Sequence, residues 1–168
     1  MGFLDMFGSN TPATPTVHTI LPEAARQEIL AGRLPILRTD TIFLKNGEQC
    51  HYVDKAIYEK KVVKKRYVRR NHGMSFKGVI FSDVRHYVGG GNTDVVDNVQ
   101  YETYRGILYI TNKRIIFVSE GNGFDKKIDD LVALTPWANG ADFQFSKTSY
   151  RLFLPDGAVV NAVLRLIS

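Results

Sequence analysis

Cysteine is nearly absent: one residue, Cys50, in a chain of 168. That excludes a disulfide within the chain and an all-cysteine metal site. It fits a reducing compartment, and Cys50 itself reads as a small buried hydrophobe. Long hydrophobic runs are absent too, and nothing approaches the roughly 20 apolar residues of a spanning helix. Histidine is sparse and scattered; His18, His51, His72 and His86 show no metal-ligand spacing, so neither a metal nor another cofactor is expected. No Ser/His/Asp order or activated cysteine can be argued. Asp125, Asp129 and Asp130 enclose Lys126 and Lys127, which suits a turn or edge better than paired catalytic acids. Gly89-Gly90-Gly91 lacks the Gly-Lys-Ser/Thr that would make a phosphate loop. Together these absences argue against an enzyme.

What the chain does have is an apolar fraction of 44%, enough for a core, and a net charge of +5, which favours anionic partners. The opening MGFLDMFG has no basic region and carries Met6 where a myristoylation signal needs Ser or Thr. Its Phe3, Leu4, Met6 and Phe7 are apolar enough to touch a membrane or a partner. Pro12 and Pro15, set among small polar residues, make a linker. The expected organisation is a disordered segment 1–16 followed by one domain, 17–168.

Residues 22–31 predict a short helix, with Pro22 at its first position and Gly32 just past its end. Ala24, Ala25, Ile29 and Leu30 form its apolar stripe. The period then changes to that of strands. Thr41–Leu44 predicts a strand and Asn46-Gly47 a turn; Gln49–Ile57 returns with Cys50, Tyr52 and Asp54 on one face. Glu59–Arg70 is read as extended. Residues 76–88 and Val95–Tyr104 add apolar runs. The clearest passage is Arg105–Val118, two apolar β-branched runs flanking Thr111–Arg114: a buried hairpin. Strands follow near 124–128, 131–137, 142–146 and 150–154, punctuated by Asn139-Gly140 and Pro155-Asp156-Gly157. No helix of crossover length separates them, so the sheet is antiparallel. From Ala158 to Ile167 only Asn161 and Arg165 are polar, four apart, which predicts an amphipathic helix capped by Asp156. Trp137 is expected to pack against that helix.

The run Gly106-Ile-Leu-Tyr-Ile-Thr-Asn-Lys-Arg-Ile-Ile-Phe117 resembles the central hairpin of GRAM-like and bacterial pleckstrin-homology-like (PH-like) domains, and Leu44-Lys-Asn-Gly-Glu48 resembles their "L-x-x-G-E" opening. The resemblance covers about residues 40–168. It implies a mainly β, bent antiparallel sandwich or partly open barrel, capped by the C-terminal helix, with the 22–31 helix added. It also implies a non-catalytic binding or adaptor module of bacterial origin, in the cytoplasm or peripheral at the membrane. The motif specifies a fold and names no ligand.

One stretch stands apart from the resemblance. Lys60–Arg70 carries seven of the 22 basic residues. On a strand, Lys60, Lys64, Arg66 and Arg70 share one face, while Lys61, Lys65, Tyr67 and Arg69 share the other. These eight are the candidate ligand-binding residues. A protein partner ranks first for the chain, an acidic lipid surface second, and nucleic acid stacked on Tyr67 third. The competing reading is a solvated edge strand kept from aggregating by its charge.

Overall fold

The computed structural model describes residues 13–69 and 93–168. The apolar N-terminus, the 76–88 run, the glycine loop and Arg70 lie outside the described residues. The chain divides into two compact units, Met1–Lys60 with Thr103–Ser168, and Lys61–Glu102.

Helix α1 is Glu23–Leu30. Pro22 stands one position earlier than predicted, as the residue preceding the helix, at ψ 137. Its carbonyl still accepts from the Arg26 N–H at 3.0 Å, so the ring fixes the entry without losing a helical donor. At the other end Gly32 has φ 81, Arg33 N–H reaches Glu28 O, and Gly32 N–H reaches Ile29 O. That pair of bonds is a Schellman closure, and it requires the left-handed residue to be glycine. Of the four stripe residues Ala25 and Ile29 are buried, while Ala24 and Leu30 face solvent.

Strands β1 (Cys50–Arg69), β2 (Thr93–Thr111), β3 (Arg114–Ser119), β4 (Phe124–Lys127), β5 (Leu131–Trp137), β6 (Gly140–Phe145) and β7 (Ser149–Phe153) form one sheet. Their order is β4-β3-β2-β1-β7-β6-β5. The pairings β1·β7, β2·β3, β3·β4, β5·β6 and β6·β7 are antiparallel. Helix α2 (Gly157–Ile167) closes the chain, and the Asp156 carboxylate accepts from the Ala158 N–H at 2.9 Å as its N-cap. Seven strands with a C-terminal helix and a short N-terminal one are the PH-like arrangement that the hairpin motif implied.

Within the first unit the core follows the sequence period. Leu108, Ile110, Ile115, Phe117, Phe143, Leu152 and α2's Val159, Val160 and Val163 are buried together. Tyr58 sits among Tyr104, Phe117, Phe124 and Tyr150, and Phe124 stacks on Tyr150 at 4.0 Å between centroids. Strands β4 and β7, far apart in the sheet order, therefore meet through their rings. Gly106 is a packing necessity: a Cβ there would stand 2.2 Å from the Val118 carbonyl and 2.8 Å from the Phe117 ring.

Three expectations are corrected. Thr41–Leu44 is not a strand but a loop. The chain bridges Leu37 to Cys50 instead, and the 41–44 backbone is held by side chains described below. The hairpin turn is narrower than Thr111–Arg114, because both ends are buried and only Asn112 and Lys113 face solvent. Trp137 meets the start of α2 through its backbone, the carbonyl lying against Gly157, while its half-buried ring meets Phe153 edge-on and carries the Arg151 guanidinium at 5.7 Å, a cation–π contact.

Candidate binding surfaces

The two family-like motifs meet in space. Arg114 lies side-on against Glu48: Nε donates to Oε1 and Nη2 to Oε2, both at 2.9 Å. Nη1 reaches Asp125 at 2.6 Å, and Nη2 also donates to the Phe43 carbonyl at 2.9 Å. Thr111 Oγ1 donates to Glu48 at 2.6 Å, and the Lys45 N–H does so at 2.7 Å. Asn112 exchanges bonds with Gln49 and donates its side chain to Gly47 O. Lys113 Nζ donates to Asn46 O at 2.6 Å. Each residue of Thr-Asn-Lys-Arg thus holds one stretch of the Phe43–Gln49 loop. Burial alone would raise the Glu48 carboxyl, but the bonds from Arg114, the Lys45 N–H and Thr111 outweigh it and bring the pKa from 4.5 to about 2. Glu48 first, and Asp125 with it, in turn raise the pKa of Arg114 against the effect of its burial. The site is saturated with internal partners, so its role is to fix the loop.

A second device ties the lead-in chain to the sheet. Buried Asp54 accepts from Thr19 Oγ1 and from the Ile20 N–H, both at 2.7 Å. Beside it lies a cleft of about 430 Å³ between Thr16–His18, β1 and β2. Its rim carries His18, Lys55 and Arg105, its wall Ile57 and Ile107, and no acidic residue lines it. Sequence reasoning missed this cleft, because its residues come from three distant segments. The only signal was a lone cation at an alternate position in each of two strands.

The candidate basic residues lie on β1. Lys60 belongs to the first unit and donates to Asn122 at 3.3 Å. Lys61, Lys64, Lys65, Arg66 and Tyr67 belong to the second unit and are all exposed. Arg69 is described by its backbone alone. At about 3.3 Å per residue the stretch from Lys61 to Arg69 runs roughly 26 Å. Among the described residues the charges therefore form a line along β1. The pairing of β1 with β7 reaches Glu59, so beyond it that side of β1 is an edge among the described residues.

Within this second unit nearly every described side chain faces solvent; only Val62 and Glu102 are half-buried. The exposed set includes Val63, Tyr67, Val68, Val95, Val96, Val99 and Tyr101, with Tyr67 at 68% and Tyr101 at 60%. On β1, Val63 and Tyr67 alternate with Lys61 and Lys65 along one face. On β2, Val95, Val99 and Tyr101 share a face with Asp97.

Comparison with protein-family models and with curated proteins gives no match. Among solved structures the chain is similar to the Vps36 N-terminal PH domain, with 14% identity and a TM-score of 0.43, over 80% of this chain and 89% of that one. The strand order and the C-terminal helix themselves define a PH-like fold. Among the described residues no helix is long and apolar enough to cross a membrane.

Proposed function

We propose that the protein is a non-catalytic, PH-like binding module that docks a protein partner on the ribbon made by Lys61–Arg69 and Thr93–Glu102. One observation carries this reading: the described residues of the second unit leave seven large apolar side chains exposed among lysines and an arginine. Apolar surface on this scale marks an interaction site. Charge sets the partner's chemistry. Lys61, Lys64, Lys65 and Arg66 call for an acidic surface, and the valines and tyrosines for an apolar centre within it.

The test has two parts. A photo-crosslinking residue at Tyr101, compared in cells with one at the exposed Leu30, should give a discrete protein adduct from Tyr101 alone. That adduct should be lost when Lys64, Lys65 and Arg66 become Glu. In parallel, acidic liposomes, neutral liposomes, single-stranded DNA and duplex DNA are offered at two salt concentrations. Salt-sensitive binding to acidic liposomes alone would replace the protein reading with peripheral membrane attachment. Preference for single strands, lost in Tyr67→Ala, would replace it with nucleic-acid binding. No Tyr101 adduct and no binding in the panel would leave the solvated edge strand.

A further inference from the structure

The cleft between Thr16–His18 and the sheet lies wholly within the first unit, and its walls are fixed from both sides. On one side the Asp54 carboxylate ties down the lead-in chain. Its Oδ2 accepts from Thr19 Oγ1 and its Oδ1 from the Ile20 N–H, both at 2.7 Å, and Oδ1 also takes the Lys55 N–H at 2.9 Å. On the other side the Arg105 carbonyl accepts from Ser119 Oγ at 2.8 Å. Lys55 and Ile57 alternate with Ala56 along β1, and Arg105 and Ile107 alternate with Gly106 along β2. Each strand therefore sends a cation and an isoleucine to the cleft. Ile57 is buried and Ile107 and Val17 are half-buried, while Lys55, Arg105 and His18 are exposed.

The lining carries cations and no carboxylate. Among the described residues neither Lys55 nor Arg105 forms an ion pair. The carboxylates on the neighbouring strand positions are engaged elsewhere or stand outside the lining. Asp54 is buried on the opposite face of β1, and both its oxygens are already bonded. Glu59, next after Ile57 on the cleft face, lies 3.9 Å from Arg151 of β7. Glu120 comes after the end of β3, past the pairing of Ser119 with Gly106.

We propose that this cleft binds a small anionic amphiphile: one carboxylate or phosphate head on a short apolar body. Lys55 and Arg105 meet the head, and Ile57, Ile107 and Val17 line the body. A volume of about 430 Å³ falls within the range of small-molecule pockets, roughly 300–1,000 Å³. The mixed lining selects the ligand. A bare anion would pair with the cations and leave the isoleucines in water. A neutral hydrocarbon would cover the isoleucines and offer the cations nothing. A ligand with both parts answers both, through charge-assisted hydrogen bonds and apolar burial. His18 adds a ring N–H beside the head. The cleft shares no residue with the 61–102 ribbon, so the two proposals stand or fall separately.

Titration calorimetry on the full chain tests it with octanoate, octyl phosphate, octanol and inorganic phosphate, each below its micelle concentration. An octyl anion should bind roughly tenfold or more tightly than octanol and than inorganic phosphate. Whether octanoate or octyl phosphate binds more tightly identifies the head. Lys55→Gln with Arg105→Gln, both at exposed positions, should keep the thermal midpoint and reduce the octyl anion to the affinity of octanol. Thr16→Glu, also at an exposed position, places a carboxylate in the lining and should weaken binding as much. Octyl-anion binding that survives both variants lies elsewhere and overturns the proposal. So does octanol binding as tightly as octanoate, or inorganic phosphate as tightly as octyl phosphate. A chain that binds neither octyl anion at millimolar concentration overturns it too.

Discussion

Arg114 and Glu48, 66 positions apart, form a side-on pair in which two guanidinium nitrogens meet two carboxylate oxygens at 2.9 Å. The Glu48 side chain is wholly buried and the Arg114 side chain nearly so. Removing Arg114 alone leaves the buried Glu48 carboxylate without a cation. Arg114→Met should therefore cost about 3–5 kcal/mol in urea denaturation, and Glu48→Gln added to it should recover part of the loss. A double variant no more stable than Arg114→Met would show that the pair is not the cause.

The same carboxylate gives a pH dependence. Glu48 ionises near 4.5 when unfolded and near 2 when folded, so folding favours its charged form. That contribution is complete above pH 4.5, fades as pH falls, and is gone near 2. It amounts to about 3 kcal/mol, on the order of 1.36 per pKa unit. Stability measured across this window should fall more steeply in the wild type than in Glu48→Gln. Parallel curves would remove Glu48 as the titrating group.

The hairpin carries the core. Ile110 and Phe117 are 0% and 1% exposed, and each cut to Ala should cost about 2–5 kcal/mol through lost burial and a cavity. Chemical denaturation reads this directly; a loss below about 0.5 kcal/mol at both would place them on the surface.

Helix α2 is structural as well. Leu164 is 7% exposed, and Leu164→Asp would bury a carboxylate without a partner. The variant should lose the cooperative transition seen in near-ultraviolet circular dichroism. A native spectrum and midpoint would mean that the helix does not pack as described.

Cys50 has no exposed surface, and burial pushes its thiol up to about 11. It should resist a thiol reagent in the native protein and react stoichiometrically in denaturant. Prompt labelling of the native chain would contradict its burial.

The hairpin and both helices were legible from local pattern: continuous apolar runs on either side of the polar turn in Leu108–Phe117, and polar Asn161 and Arg165 one helical turn apart. The Thr41–Leu44 loop misled for the opposite reason. Its composition suits a strand, but the Arg114 side chain, 71 residues away, holds the Phe43 carbonyl, and no local pattern reports that. Glu48 and Thr111–Arg114 were both singled out in the sequence, yet that one motif is the socket of the other shows only in three dimensions. The Asp54 clamp and the 430 Å³ cleft share this limit, since both join segments remote in the chain. The basic run was legible as charge, and its spread along one strand follows from its extended backbone.

The ribbon's two strands leave and re-enter the first unit at Lys60 and Thr103. Polymer statistics give such an excursion unusual latitude. The entropy of closing it grows only with the logarithm of its length, about 0.6 kcal/mol for each doubling. The Tyr58–Tyr104 contact, at 6.1 Å, lies just inside the two crossing points and holds them together whatever is inserted beyond. A change of length between Lys61 and Glu102 should therefore leave the first-unit halves of β1 and β2 with their neighbours. The stable frame and the proposed docking ribbon are segments of the same two strands.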